Sequence, residues 1–228
     1  MATIRKLINK MLIFYAMPVS GYCTKVRIVL RLKDIEFEER LPIGGSYGND
    51  EWKTFMPPGS IPAIQHDDFK LFDSEAIVEY LDGLKADPAL QSSDLRIRSR
   101  HKAIAQFHNT RLEPVVRQLF PVVKSYTSKG SQNAVSELRS SFEKQLQSLC
   151  QVTSFDPFIG GEEIQLVDCG FPATIFMGMD ILAALNSKPD IPKAIESWLK
   201  MLMNHPVIAE EVSNNRAAVG HWLKGFLQ

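Results

Sequence analysis

One serine, three cysteines and two short polar clusters carry most of the reactive groups in this chain. Ser20 and Cys23 stand three residues apart, where residues 23–32 (CTKVRIVLRL) take up helical spacing. A hydroxyl at that place is a natural helix N-cap. A thiol inside the first turn can be a low-pKa nucleophile, because a helix N-terminus favours the anion. Asp73, Ser74 and Glu75 open a second helical run over 74–84. The unpaired N–H groups of such an N-terminus bind carboxylates. Between the two runs lies Ile61-Pro62, and the residue before a proline is held extended. Cys23, Cys150 and Cys169 form no CxxC, and the five histidines show no metal-ligand spacing. No metal and no disulfide framework is expected. An odd set of thiols suits a reducing compartment, so a cytoplasmic location is expected.

Charge and length narrow the classes further. Lys plus Arg and Asp plus Glu both number 26, for a formal net charge of +0. Nucleic-acid partners demand a basic excess, so none is expected. No run reaches the roughly 18 apolar residues of a membrane span, and no membrane partner is expected. Residues 1–10 carry Arg5, Lys6 and Lys10, and the first acid is Asp34. That resembles a targeting segment in charge only, since the apolar run 11–17 is short and lacks a small-x-small site. It reads as an N-terminal extension.

The elements that must position these groups follow from periodicity. Residues 11–17 (MLIFYAM) form a short apolar run, as expected for a buried strand. A helix follows Ser20, a second strand covers 37–43, and a loop covers 44–48. Residues 50–55 suit a short helix stopped by Pro57-Pro58-Gly59. Residues 61–64 and 69–72 suit two strands joined by a turn over 65–68, with a helix over 74–84. A βαβ unit followed by a ββα unit gives a mixed sheet with helices on its faces. After a linker at 86–92 no strand pattern remains. Residues 93–126, 131–151, 166–185, 191–204 and 206–214 read as helices. The expectation is an α+β chain of two domains, 11–85 and 93–228, the second all-helical.

This order, with Ser20, Ile61-Pro62, Asp73-Ser74 and Asp168 at these places, resembles the cytosolic glutathione S-transferase family. The segments SIPAI and LFDSEAIVEYL carry the resemblance most specifically, and it extends from about residue 11 to 222. The turn from Ser20 to Leu30 looks like the serine-type turn of the zeta, theta, delta, phi and tau classes. The resemblance implies a thioredoxin-like βαβαββα domain followed by an all-helical domain, the glutathione S-transferase fold. It implies glutathione as co-substrate, a small hydrophobic electrophile as second substrate, and a homodimer.

The resemblance makes Ser20 the thiolate-activating residue. A free thiol with a pKa of about 8.5 is only about 3% ionised at neutral pH. Lowering that pKa by about 2 units takes about 2.7 kcal/mol. A hydroxyl donated to the anion supplies roughly 1.5–3 kcal/mol, and the helix N-terminus about 0.3–1 kcal/mol. The plainer role of Ser20 is a helix cap. Cys23 departs from the cysteine-type classes, whose cysteine stands where Ser20 does, and a buried structural thiol is expected. Tyr15 ranks below Ser20, because the matching strand position is Ala16 and a one-residue slip reverses the face. The resemblance gives Pro62 a cis bond that turns the Ile61 backbone toward the cysteinyl part of glutathione. It gives Ser74 the γ-glutamyl carboxylate and Asp73 the ammonium, although Asp73 is a methylene shorter than the Glu or Gln common there. Lys53 is the candidate for the glycyl carboxylate.

Asp168 is expected to cap a core helix, with the box weakened by Gln165 in the Ser/Thr place. The run 93–126 is expected to line the electrophile site, with Phe107 and Arg111 among its residues. An isomerase of maleyl-type acids is the alternative activity, with Arg111 or Arg117 as the acid-binding cation. A non-enzymatic binding module is the third reading.

Overall fold

The computed structural model describes residues 11–126 and 130–227. The expected N-terminal extension, residues 1–10, lies outside the described residues. The chain divides into two compact units between Gln91 and Ser92.

The first unit is built on a four-stranded sheet in the order β2-β1-β3-β4, from β1 (Leu12–Tyr15), β2 (Phe37–Arg40), β3 (Ala63–His66) and β4 (Phe69–Phe72). β1 pairs parallel with β2 and antiparallel with β3, and β3 pairs antiparallel with β4. Three helices complete the unit: α1 (Gly21–Leu32), α2 (Asp50–Phe55) and α3 (Ser74–Leu84). β2 is shorter than its apolar pattern because Pro42 has no N–H to give to a ladder, and a 3-10 turn (Ile43–Gly45) follows. β3 starts two residues later than the pattern suggests, beyond the cis Ile61-Pro62 bond. His66 then pairs with Phe69, so Asp67 and Asp68 alone make the turn, with Asp67 at φ 59°.

Helices α1 and α3 touch each other and are joined by ion pairs as well as apolar contact. Val26, Val29, Leu30, Ile77, Val78 and Leu81 are all fully buried. Lys25, itself buried, donates to Glu75, and Lys33 donates to Asp82 at 2.7 Å and to the carbonyl of Pro88. Lysines are almost never fully buried unless paired, and here each has its carboxylate.

The second unit is all-helical: α4 (Leu95–Phe107), α5 (Glu113–Arg117), α6 (Leu119–Lys124), α7 (Gln132–Val152), α8 (Leu166–Cys169), α9 (Phe171–Ala184), α10 (Lys193–Leu202) and α11 (Pro206–Lys224). The expected single helix over 93–126 is corrected to three segments. A π-turn (His108–Leu112) separates α4 from α5, and the Glu113 N–H reaches back to the His108 carbonyl. The physical reason is Pro114, which cannot donate to Thr110 and whose ring needs that carbonyl moved away. The run 166–185 is likewise two helices, because Pro172 withholds the N–H that would continue the turn from Asp168. In contrast α11 runs ten residues past Asn214. Tertiary contact overrides the low helix propensity there: Asn215 is buried, and Arg216 bonds Asp180 of α9 through two contacts of 2.8 Å.

Asp168 holds this unit's centre. Its carboxylate accepts from the N–H groups of Ile159, Gly160 and Gln165 and from Trp198 Nε1, at 2.9–3.2 Å. Asp168 N–H donates to the Gln165 backbone carbonyl at 2.9 Å, while Gln165 Oε1 lies 3.1 Å from His101 Nδ1, so the side-chain capping comes from Asp168, which accepts from the Gln165 N–H at 3.0 Å. The stretch Leu166–Ala184 is long and apolar enough to cross a membrane, with mean hydropathy 1.5, yet 78% of it is buried inside the unit.

Candidate functional site

Strand register gathers the sequence-derived candidates of the first unit. Tyr15 pairs with Arg40, with Ala63 and, through Ala63, sits one strand from Phe72. The segments that leave these positions therefore emerge at one end of the sheet. They are 16–20 after β1, 41–49 after β2, Ile61-Pro62 before β3, and Asp73-Ser74 after β4. Ala16 N–H donates to the Arg40 carbonyl at 3.0 Å and extends the sheet toward that end.

Ser20 is the N-cap of α1, with φ −77° and ψ 118°. Its Oγ accepts from Cys23 N–H at 3.3 Å, and its carbonyl accepts from Thr24 N–H and Thr24 Oγ1. The capping role is thus occupied. A hydroxyl that accepts one N–H still has its own proton to donate, and Ser20 is half-buried rather than sealed. Cys23 is fully buried. Burial pushes its thiol up, against weaker opposing pulls from Ser20, the Met17 backbone and Arg27. It is a protonated core thiol at neutral pH. Tyr15 belongs to a buried aromatic cluster with Trp52 and Phe55, at ring separations of 5.1 and 5.2 Å.

The Asp73-Ser74 corner has an unusual backbone. Asp73 is at φ 71°, ψ 122°, a region a non-glycine residue rarely occupies. Its Oδ1 accepts from the N–H groups of Glu75 and Ala76 at 2.9 and 3.4 Å. Strain of this kind persists where the surroundings over-determine it and concentrates at ligand sites. Ser74 is buried at the first position of α3, while Asp73 stays exposed.

Ile61 is half-buried against the Tyr15, Trp52, Met56 and Ala63 cluster, and its bond to Pro62 is cis. Trp52 Nε1 donates to the Ser60 carbonyl at 3.2 Å and ties the approach to Ile61 onto α2. Lys53 is exposed, with Nζ 3.9 Å from Asp50. Its aliphatic stem crosses the bare α-carbon of Gly59, which sits at φ +64°; a Cβ there would lie 3.0 Å from Lys53 Cγ. Gly59 therefore leaves room for the lysine stem, a feature that local composition does not announce.

In the second unit, Phe107 is buried and Arg111 is exposed, with its guanidinium 5.7 Å from the Phe107 ring. Arg117 is bound to Glu113 at 2.6 Å, so its charge is already opposed. Among the described residues there is no group of three or more His, Cys, Asp or Glu side chains that could hold a metal.

Sequence reasoning missed Lys25 and Glu75. Their ion pair joins the N-terminal halves of α1 and α3, the helices capped by Ser20 and Asp73. Lys25 shares α1 with Thr24, Arg27 and Arg31, so nothing local marks it as enclosed.

Comparison with known proteins gives the following. Residues 14–89 match the family described as glutathione S-transferase, N-terminal domain. The chain is 34% identical over 107 residues to maleylacetoacetate isomerase of Pseudomonas aeruginosa, covering 44% of this chain and 49% of that protein. The match thus spans about half of that relative's length. It is 26% identical over 194 residues to a stringent starvation protein A homolog of Histophilus somni, covering 85% and 86%. A delta-class glutathione transferase of Nilaparvata lugens superposes with a TM-score of 0.76 at 19% identity, over 94% of this chain and 99% of that one. The last likeness is one of fold.

Proposed function

We propose that this chain, whose residues 14–89 match the glutathione S-transferase N-terminal domain and whose fold is that of solved glutathione transferases, binds glutathione in the first unit and activates it as a thiolate. The observation that carries this reading is the gathering at one sheet end of three complementary groups. Ser20 supplies an uncommitted O–H at a helix N-terminus. Ile61 supplies an extended backbone for the cysteinyl part. Ser74 supplies its hydroxyl and its own backbone N–H for a carboxylate, with Asp73 beside it for an ammonium. Lys53 serves the glycyl carboxylate.

The reaction is attack of the thiolate on a small hydrophobic electrophile. The Ser20 proton stays on its oxygen and bonds the sulfur, so no general base is needed beside it. The ionised thiol gives its proton to solvent. Ser20→Ala is expected to lower turnover about 10- to 100-fold, the loss of one charge-assisted hydrogen bond, while glutathione still binds. Titration calorimetry with glutathione and a halo-aromatic turnover assay read the two quantities separately. Unchanged turnover would remove Ser20 from its role.

A second reading, isomerisation of maleyl-type diacids, is favoured by the Pseudomonas relative. Of the two arginines considered for the acid, Arg111 is the better one, because Arg117 is held by Glu113. Higher turnover of a maleyl-type diacid than of neutral halo-aromatics would select this reading. Glutathione binding without turnover of either would select a binding module. The free thiols Cys23, Cys150 and Cys169 favour a reducing, cytoplasmic setting.

A further inference from the structure

Lys25 is 1% exposed, yet the reaction proposed above does not use it. It lies five residues beyond Ser20 on α1, and its ammonium bonds Glu75 Oε2. Glu75 is not an arbitrary partner. It follows Ser74 directly, and its own N–H is held by Asp73 Oδ1 at 2.9 Å. A short chain of contacts therefore runs from the helix capped by Ser20, through Lys25 and Glu75, into the strained Asp73-Ser74 corner.

The energetics make this link stiff. A buried ammonium without its partner is costly, so Lys25 cannot drift from Glu75 without a large penalty. Glu75 cannot drift freely either, because Asp73 caps it and the helix N-terminus favours its charge. The other ion pair between the same helices, Lys33 with Asp82, sits at their far ends. It fixes the helix pair but not the corner.

We propose that the Lys25–Glu75 pair is a positioning device: it sets the spacing between the Ser20 turn and the Asp73-Ser74 corner, and so selects thiols that carry a γ-glutamyl arm. The inference rests on the glutathione reading above. Lys25 and Glu75 touch no reacting atom. They act through Ser20's helix and Ser74.

The test compares glutathione with cysteinylglycine, which has the thiol but not the γ-glutamyl arm. For the wild-type chain, kcat/KM is measured with both thiols against one electrophile. Lys25→Met and Glu75→Gln are expected to cut the preference for glutathione about tenfold, the size of one coupled pair in a shared network. Turnover with cysteinylglycine stays unchanged, and the loss with glutathione appears in KM. The exchanged pair Lys25→Glu with Glu75→Lys restores part of the preference. Glu75→Asp keeps the charge and shortens the arm, so it folds most securely, and it shifts the preference in the same direction. An unchanged preference in Glu75→Asp and Glu75→Gln would overturn the inference. So would equal losses with both thiols, which mark a general loosening. If the wild-type chain binds no glutathione by calorimetry, the functional reading itself falls, and the inference with it.

Discussion

At the scale of single residues, Ser20 and Cys23 show how position within one turn separates two similar groups. Both stand at the start of α1, and the Cys23 N–H is bonded to Ser20 Oγ. The helix N-terminus would favour either anion. Burial decides otherwise for Cys23, because the charged form of a fully enclosed thiol is disfavoured. Ser20 keeps contact with solvent and a proton to donate. Alkylation of the native protein at neutral pH is therefore expected to label Cys150, which is partly exposed, ahead of Cys23 and Cys169. Mass spectrometry of timed samples reads the order. Cys23 reacting first would show that it is a poised thiolate and not a core residue.

At the scale of elements, the short helix α8 depends on one carboxylate. Asp168 accepts four hydrogen bonds that draw its pKa down, but burial outweighs them and pushes it up to about 6. Ionising it in the folded chain thus costs about 3 kcal/mol more than in the unfolded chain, at order-of-magnitude accuracy. The folded state then holds the proton more tightly, so this group's contribution to stability falls as pH rises from about 4 to about 6. Asp168→Asn removes that titration and also sets an amide N–H against donor groups, so it is destabilising throughout. The stability gap between wild type and Asp168→Asn is expected to be widest near pH 4 and to narrow toward pH 7. Urea midpoints at several pH values measure it. A gap that widens with pH would show instead that the four donors dominate.

For the whole molecule, we propose a homodimer, and the exposed surfaces of each unit motivate it. On the first unit, Phe69 and Phe72 lie 44% and 45% exposed on the edge strand β4. An uncovered apolar edge strand is a liability that proteins usually conceal. On the second unit, Leu95 and Ile97 are exposed among Arg96, Arg98 and Arg100 of α4. Glu75 of α3 bonds Lys25 within the same unit. A two-fold interface uses the same patch from both chains and is expected to exceed about 1,200 Å². Light scattering at micromolar concentration should give about twice 25.7 kDa. Phe72→Glu should shift that mass toward the monomer. A monomer for the wild-type chain would overturn the assembly.

The two-unit organisation and the elements that carry Ser20, Ile61, Pro62, Asp73 and Ser74 were legible in the chain itself, because their signals are local, whereas the roles proposed for these residues came from the family resemblance. A cap, a proline and an apolar period each act within a few residues. Helices α2 and α3 match their patterns to the residue, since Asn49 and Asp73 cap them and a strong apolar face or stop signal ends them. Other features needed the folded chain. The split of 93–126 depends on how the backbone around Pro114 accommodates a missing N–H within a packed helix. The length of α11 depends on Arg216 finding Asp180, 36 residues away. The Lys25–Glu75 bond joins residues 50 apart. Either residue alone reads as an ordinary surface charge. Only when α1 and α3 meet is the lysine enclosed, and only enclosure turns an ordinary charge pair into a stiff link.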